Sequence, residues 1–143
     1  MRLDQKIAAL AAQPLLAVLE PAALHVLAFS ATGQTLKAGE ELFRKGDASN
    51  GGFLVLSGRL EAEGQAFAAG TLVGEAALVA ETQRPVTVLA LEPTVVMVLT
   101  RSLMRKVLES HPASAVALSR HVAARVVGTE ASLKAVLALS PTG

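Results

Sequence analysis

The sequence predicts a mainly β chain flanked by helices, an α+β arrangement with a small barrel or jelly roll at its centre. Three observations predict it. Glycines punctuate the middle of the chain at intervals of roughly six residues, at Gly33, Gly39, Gly46, Gly51-Gly52, Gly58, Gly64 and Gly70. The runs between them, with two β-branched segments after Pro85, give about seven or eight short strands in about seventy residues. Helical periodicity appears only before this region and after Thr100.

In chain order, Leu3, Ile7 and Leu10 recur at helical spacing and open with a short amphipathic helix that Pro14 ends. Pro21 suits the first turn of a second helix, with Leu24, Leu27 and Ala28 as its apolar stripe and His25 partly buried beside it. The expected strands are 34–37, 41–44, 52–56, 59–63 and 65–68, then 86–91 and 95–99, with Glu92-Pro93 as the last turn. Leu42, Phe43, Phe53 and Val55 supply inward-facing bulk. After Thr100, Leu103, Val107 and Leu108 mark one face of a helix that Pro112 terminates. A further helix over about 113–127 carries Ala115, Leu118, Val122 and Val126, with Gly128 as its C-cap. The tail has Leu133, Val136 and Leu137 at helical spacing and reads either as a short helix or as a frayed end. The expected division is therefore 1–30 for N-terminal helices, 31–100 for the β region and 101–143 for C-terminal helices, all within one domain.

Composition narrows the function classes. Apolar residues make up 52% of the 143, enough for a core, and aromatics only 3%, so Leu, Val and Ala must fill it. The formal net charge of +1 gives no electrostatic footprint for nucleic acid or an anionic membrane. No cysteine is present, which excludes disulfides, thiolate metal sites and a cysteine nucleophile. The apolar run Ile7 to Leu19 lies behind Arg2 and Lys6, but Asp4 and the Gln13-Pro14 break argue against a cleaved signal. No stretch reaches the ~20 uninterrupted apolar residues of a membrane-spanning helix. His25, His111 and His121 lack metal-ligand partners at helical spacing, and no nucleophile elbow, P-loop or dinucleotide fingerprint occurs, so the chain is expected not to be an enzyme and to need no cofactor or metal. His111 before Pro112 reads as a loop residue and His121 as an exposed helix residue.

The chemistry concentrates in the stretch 70–88, GTLVGEAALVAETQRPVTV. Gly74-Glu75 is followed by small residues, and Arg84 comes nine positions after the glutamate. A carboxylate is an acceptor suited to a hydroxyl. A guanidinium fork matches phosphate oxygens with two parallel charge-assisted bonds. A sugar phosphate offers both groups.

In this order and spacing the residues resemble a known family. The pieces are Leu36-Lys37-Ala38-Gly39-Glu40, Leu42-Phe43-Arg44-Lys45-Gly46-Asp47, Phe53-Leu54-Val55-Leu56-Ser57-Gly58, then Gly74-Glu75-Ala76-Ala77-Leu78-Val79 with Arg84 and Thr87-Val88, and finally His111-Pro112 between two helices. Over roughly 15–127 the chain resembles the cyclic nucleotide-binding domain of the catabolite activator, protein kinase A regulatory subunit and gated-channel type. The resemblance implies an eight-stranded double-stranded β-helix, or jelly-roll barrel, with N-terminal helices, a phosphate-binding cassette with a short helix at 72–88 and two C-terminal helices. It implies that Glu75 accepts from the ribose 2′-hydroxyl and Arg84 pairs with the cyclic phosphate. It further implies that Ala76 and Ala77 open the cassette helix with free amides, and that Gly74 lets backbone approach the sugar. Three residues depart from the family pattern. Pro85 stands where a serine, threonine or alanine is usual and offers neither N–H nor hydroxyl. Val86 replaces a smaller alanine beside the phosphate, and Val73 replaces a phenylalanine before the glycine.

The resemblance implies a cytoplasmic sensor that binds cAMP, less readily cGMP, since a hydroxyl at position 85 is a feature favouring guanine nucleotides in the family. It implies that the helix over 113–127 moves on binding, with Arg120, His121, Val122, Arg125 and Val126 as candidates to cap the base. The apolar stripe of that helix reads equally as a homodimer seam. Only sixteen residues follow Val127, so no recognition helix and no direct nucleic-acid contact are expected, and the downstream protein partner is not specified. Two other readings stay open. In one, Glu75 and Arg84 form an ion pair in a degenerate domain that serves protein interaction. In the other, the chain is the sensory half of a truncated transcription factor.

Overall fold

The structure, a computed structural model, describes residues 2–126. The expected Gly128 cap and the stripe Leu133, Val136 and Leu137 lie outside the described residues.

Helix α1 (Leu3–Ala11) stops before Pro14, and α2 (Pro21–Ser30) starts on Pro21, as the proline positions require. Between them Leu15, Leu16 and Leu19 are buried in a series of turns. Gln13 is buried too, and its amide donates to Ala9 O at 3.1 Å and Gly70 O at 2.7 Å, which ties the first helix to the β region. In α2 the buried face is Ala23, Leu24, Leu27 and Ala28. His25 is exposed rather than partly buried, because one helical step of about 100° past Leu24 turns it to solvent.

The strands are β1 (Thr32–Leu36), β2 (Glu41–Phe43), β3 (Gly51–Ser57), β4 (Arg59–Ala62), β5 (Gln65–Ala68), β6 (Leu72–Val73), β7 (Val88–Ala90) and β8 (Thr94–Thr100). They form two antiparallel four-stranded sheets, ordered β1-β8-β3-β6 and β2-β7-β4-β5. Early and late strands pair with one another, the nesting of a double-sheet jelly roll. The expected jelly-roll barrel is met as two sheets that do not close: among the described residues each sheet pairs only within itself, and the two are joined by apolar side chains and, at Arg59 and Thr94, by hydrogen bonds of 3.1 Å between the Thr94 hydroxyl and the Arg59 backbone. The cassette strand β6 has only two residues, too few to show an alternation in sequence.

The central strands β3 and β8 are buried on both faces. Phe53, Val55 and Val96 point between the sheets with Leu36, Leu60, Val73, Val88 and Ala90. Leu54, Met97 and Leu99 point the other way, into a second core with Leu10, Leu16, Leu27, Met104, Leu118 and Val122 from the helices. This two-sided burial is why both strands read as continuous apolar runs. Neighbours Leu42 and Phe43 both pack on the inter-sheet core because β2 carries a register shift against β7 between Glu41 and Phe43. Strand β7 starts at Val88 rather than Val86, after bends at Pro85 and Val86.

The β4–β5 hairpin turns on Glu63 and Gly64, with φ of +50° and +81°. Two successive left-handed residues make the tight turn that matches strand twist, and asparagine occupies its first position far more comfortably than glutamate. Glu63→Asn is therefore expected to raise the unfolding free energy by about 0.5–1 kcal/mol in urea melts.

Helix α3 (Arg101–Ser110) is capped by Thr100, whose Oγ1 accepts from Leu103 N–H at 3.0 Å. Its buried pair is Met104 and Val107, with Leu103 and Leu108 half-buried on either side. Helix α4 (Pro112–Val126) starts on Pro112, directly after His111, whose Nδ1 lies 2.9 Å from Val107 O. Ser114 is fully buried: its Oγ accepts from Glu20 N–H at 2.8 Å and donates to Glu20 Oε2 at 3.3 Å, joining the starts of α2 and α4. His121 is half-buried, not exposed, with Nε2 buried and no hydrogen-bond partner for it in this conformation.

Candidate functional site

The cassette leaves β6 at Val73, buried in the inter-sheet core, and turns at Gly74, whose φ of +74° and ψ of +34° are left-handed. A 3-10 turn, Glu75–Leu78, follows. Ala77 and Leu78 are buried, Leu78 in the helical core, Glu75 is half-buried and Ala76 exposed. The cassette thus bridges the two cores. The Ala77 N–H donates to Gly74 O at 3.1 Å inside the turn, so it is not the free amide expected of it. A 3-10 turn closes its bonds one residue sooner than an α-helix does.

Gly74 is needed twice over. A Cβ there would adopt a left-handed backbone and lie 2.6 Å from Arg84 Nη1. Gly74→Ala is expected to lower the unfolding free energy by about 1–2 kcal/mol in urea melts and to displace the guanidinium.

Arg84 is held at both main chain and side chain. Its N–H donates to Asp47 O and its carbonyl accepts from Gly46 N–H, both at 2.8 Å. The adjoining Ser49 adds Oγ contacts of 2.7 Å to Thr82 O and 2.8 Å to Thr82 Oγ1. The Arg84 side chain then runs inward and only 5% of the residue is exposed. Its Nη2 donates to Gly51 O at 2.7 Å. The guanidinium carbon lies 4.3 Å from the Phe43 ring centroid and 5.5 Å from that of Phe53. Burial holds the guanidinium below its ordinary pKa, the positive charge of Arg101 adds to this, and Asp47 offsets part of it. The group stays cationic. A cation so withdrawn from water gains more from an arriving anion than an exposed one does.

Arg101 fixes the far end of the cassette. Its Nη1 donates to Ala77 O at 2.9 Å and Ala80 O at 3.1 Å, and its Nη2 to Ser49 O at 3.1 Å. The first residue of α3 thereby ties the 3-10 turn and the residues just after it to the segment that precedes β3. Linear spacing carries no sign of this, because strand pairing alone brings residues 49, 77 and 101 together. The same holds for Phe43 and Phe53 beside Arg84.

Of the sequence-predicted site residues, Val73, Gly74, Glu75, Ala76, Ala77 and Arg84 lie on one continuous turn and the segment that follows it. Pro85 is exposed, and Val86 is half-buried with its side chain packed against the inter-sheet core. Val122, a candidate base cap, packs in the helical core in this conformation, while Arg120 is exposed. The Arg125 and Val126 side chains lie outside the described ones. A cleft of about 370 Å³ separates Leu78 and Val79 of the cassette from Met104 and Leu108 of α3 and Leu118 and Val122 of α4. Among the described residues no group of three or more His, Asp or Glu is placed to hold a metal ion, and no helix is long and apolar enough to cross a membrane.

Comparison with known proteins identifies the family of the chain. The family model of the cyclic nucleotide-binding domain matches residues 33–111, which take in β1 from its second residue, β2 to β8, the cassette and α3. The chain is 31% identical over 125 residues to the lysophospholipase nte1 of Aspergillus fumigatus, a match that takes in 80% of this chain and 8% of that protein. The chain thus spans less than a tenth of the length of the curated relatives it matches. Among solved structures, a cyclic nucleotide-binding-like protein from Brucella abortus is 32% identical with a TM-score of 0.70, over 74% of this chain and 99% of that one. The N-terminal domain of a transcriptional regulator from Streptomyces coelicolor is 27% identical with a TM-score of 0.75, over 82% of this chain and 89% of that one. With more than half of its length matched by the family model, this chain belongs to the cyclic nucleotide-binding domain family.

Proposed function

We propose that the domain is a sensor for a cyclic nucleotide, with cAMP preferred to cGMP, the cyclic phosphate on Arg84 and the ribose hydroxyl on Glu75. The observation that carries this reading is the buried Arg84 guanidinium, enclosed by Gly51 O, two phenylalanine rings and the backbone of Gly74. An anion with two oxygens in one plane is the natural partner for such a fork. The lean towards cAMP rests on Pro85, which brings no hydroxyl to the site. Ligand binding draws the cassette inward, and the response passes through the cleft between Leu78, Val79 and α4, so that α4 changes its position. That helix also carries the half-exposed Val116, which suits a homodimer along α4. The proposed setting is the cytoplasm, with the output read by a protein partner rather than through nucleic acid held by these residues.

A second reading is supported by the likeness to the N-terminal domain of the Streptomyces coelicolor regulator: the domain is the sensory portion of a transcription factor. The two share the ligand site and differ only in what receives the signal.

The test is thermal unfolding of ligand-free protein with cAMP, cGMP or adenosine. At a hundredfold excess over Kd a ligand adds about 2.7 kcal/mol to stability, which raises Tm by roughly 5–10 °C. The expected order is cAMP, then cGMP, with no shift from adenosine, which lacks the anion. No shift with either cyclic nucleotide would overturn the sensor reading in favour of a protein-interaction module.

A further inference from the structure

We propose that Phe43 and Phe53 are positioning residues for the phosphate-binding arginine, an aromatic corner that aims the Arg84 guanidinium before ligand arrives. The proposal rests on the reading of Arg84 as the anchor for the ligand's anion. The two ring centroids are 6.0 Å apart and the rings are tilted by 33°. With the guanidinium carbon 4.3 Å from one and 5.5 Å from the other, the rings must line adjoining sides of the cation rather than sandwich it. Gly51 O takes one edge through Nη2, and the backbone of Gly74 closes in beside Nη1.

The corner draws one ring from each sheet. Phe43 stands on β2 opposite Val88, and Phe53 on β3 opposite Val73 and Val98. Each ring face carries negative quadrupole density that attracts the cation. An arginine side chain otherwise keeps considerable rotamer freedom, which binding would have to remove. Here packing has removed it already, and pre-organisation of this kind raises affinity without a new contact to the ligand. The sides covered by the rings are closed to an anion, so phosphate must approach from a side they leave open.

The test is a double-mutant cycle read by cAMP affinity, with Phe43→Leu and Phe43→Tyr each made in the wild-type and Arg84→Ala backgrounds. Phe43→Leu is expected to weaken binding about fivefold with Arg84 present and less than twofold without it, while Phe43→Tyr stays within about twofold of wild type. An equal loss in both backgrounds would show that Phe43 serves only the core and would overturn the proposal, as would no loss at all. Phe53→Leu repeats the cycle from the other sheet should Phe43→Leu fail to fold. A second arm needs no nucleotide: in ligand-free protein the Arg84 Nε–H proton is expected to be shifted by the ring currents and to lose that shift in Phe43→Leu. If wild-type protein binds no cyclic nucleotide, the sensor reading fails, and the NMR arm alone decides whether the aromatic corner holds the cation. An Arg84 signal unmoved by Phe43→Leu overturns it.

Discussion

Replacing Arg84 by alanine is expected to weaken cAMP binding by about a hundredfold or more. The variant loses a two-pronged charge-assisted contact, each bond of which is worth about 1.5–3 kcal/mol, and a hundredfold corresponds to about 2.7 kcal/mol. It also loses stability without ligand, because Gly51 O, in a buried strand segment, is left without its 2.7 Å donor. A buried carbonyl stripped of its partner costs about 1–3 kcal/mol. Arg84→Lys separates charge from geometry. It keeps the cation but not the planar fork, and an intermediate loss of affinity is expected. Competition against a fluorescent cAMP analogue, run beside urea melts of each variant, reads both effects.

Gly51→Ala is expected to be the most destabilising of the glycine substitutions at the site, by at least about 3 kcal/mol. Gly51 pairs with Thr100 where β3 meets β8. A Cβ at Gly51 would collide with the Leu99 carbonyl oxygen and lie 2.7 Å from Thr100 Cα. These are main-chain atoms of the strand pair that links the two cores, so no rotamer change relieves the contact. The disturbance reaches the site directly, since Gly51 O holds Arg84 and the neighbouring Asn50 O accepts from Arg101 N–H at 2.6 Å. Gly33→Ala is the control: nothing lies within 4 Å of a Cβ there, and a change within about 0.5 kcal/mol is expected. Chemical denaturation followed by circular dichroism compares the two.

Much of this molecule was legible in its residues, and the parts that were not share a cause. Prolines 14, 21 and 112 set helix ends because their rings forbid the alternatives, and the structure places those ends accordingly. Glycine spacing marked the turns, and Gly74-Glu75 with Arg84 marked the cassette, because each depends on local chain geometry. Whether the strands close into a barrel depends on which edges pair, and a single strand does not encode its partner. The exposure of His25 and the partial burial of His121 depend on which neighbours cover each helix face. The contacts of Arg101 on residues 49, 77 and 80 join segments up to 52 positions apart. Phe43 and Phe53 read as core residues. Their contact with Arg84 follows from two sheets meeting, which sequence periodicity does not register.

Calorimetric titration of cAMP into ligand-free protein, with adenosine and Arg84→Ala as the two controls, tests the central claim most directly. The expected result is saturable binding of cAMP at one site, no binding of adenosine, and a loss of at least about a hundredfold in the variant. Equal affinity for cAMP in wild type and Arg84→Ala would contradict it, because the buried guanidinium would then have no part in holding the phosphate.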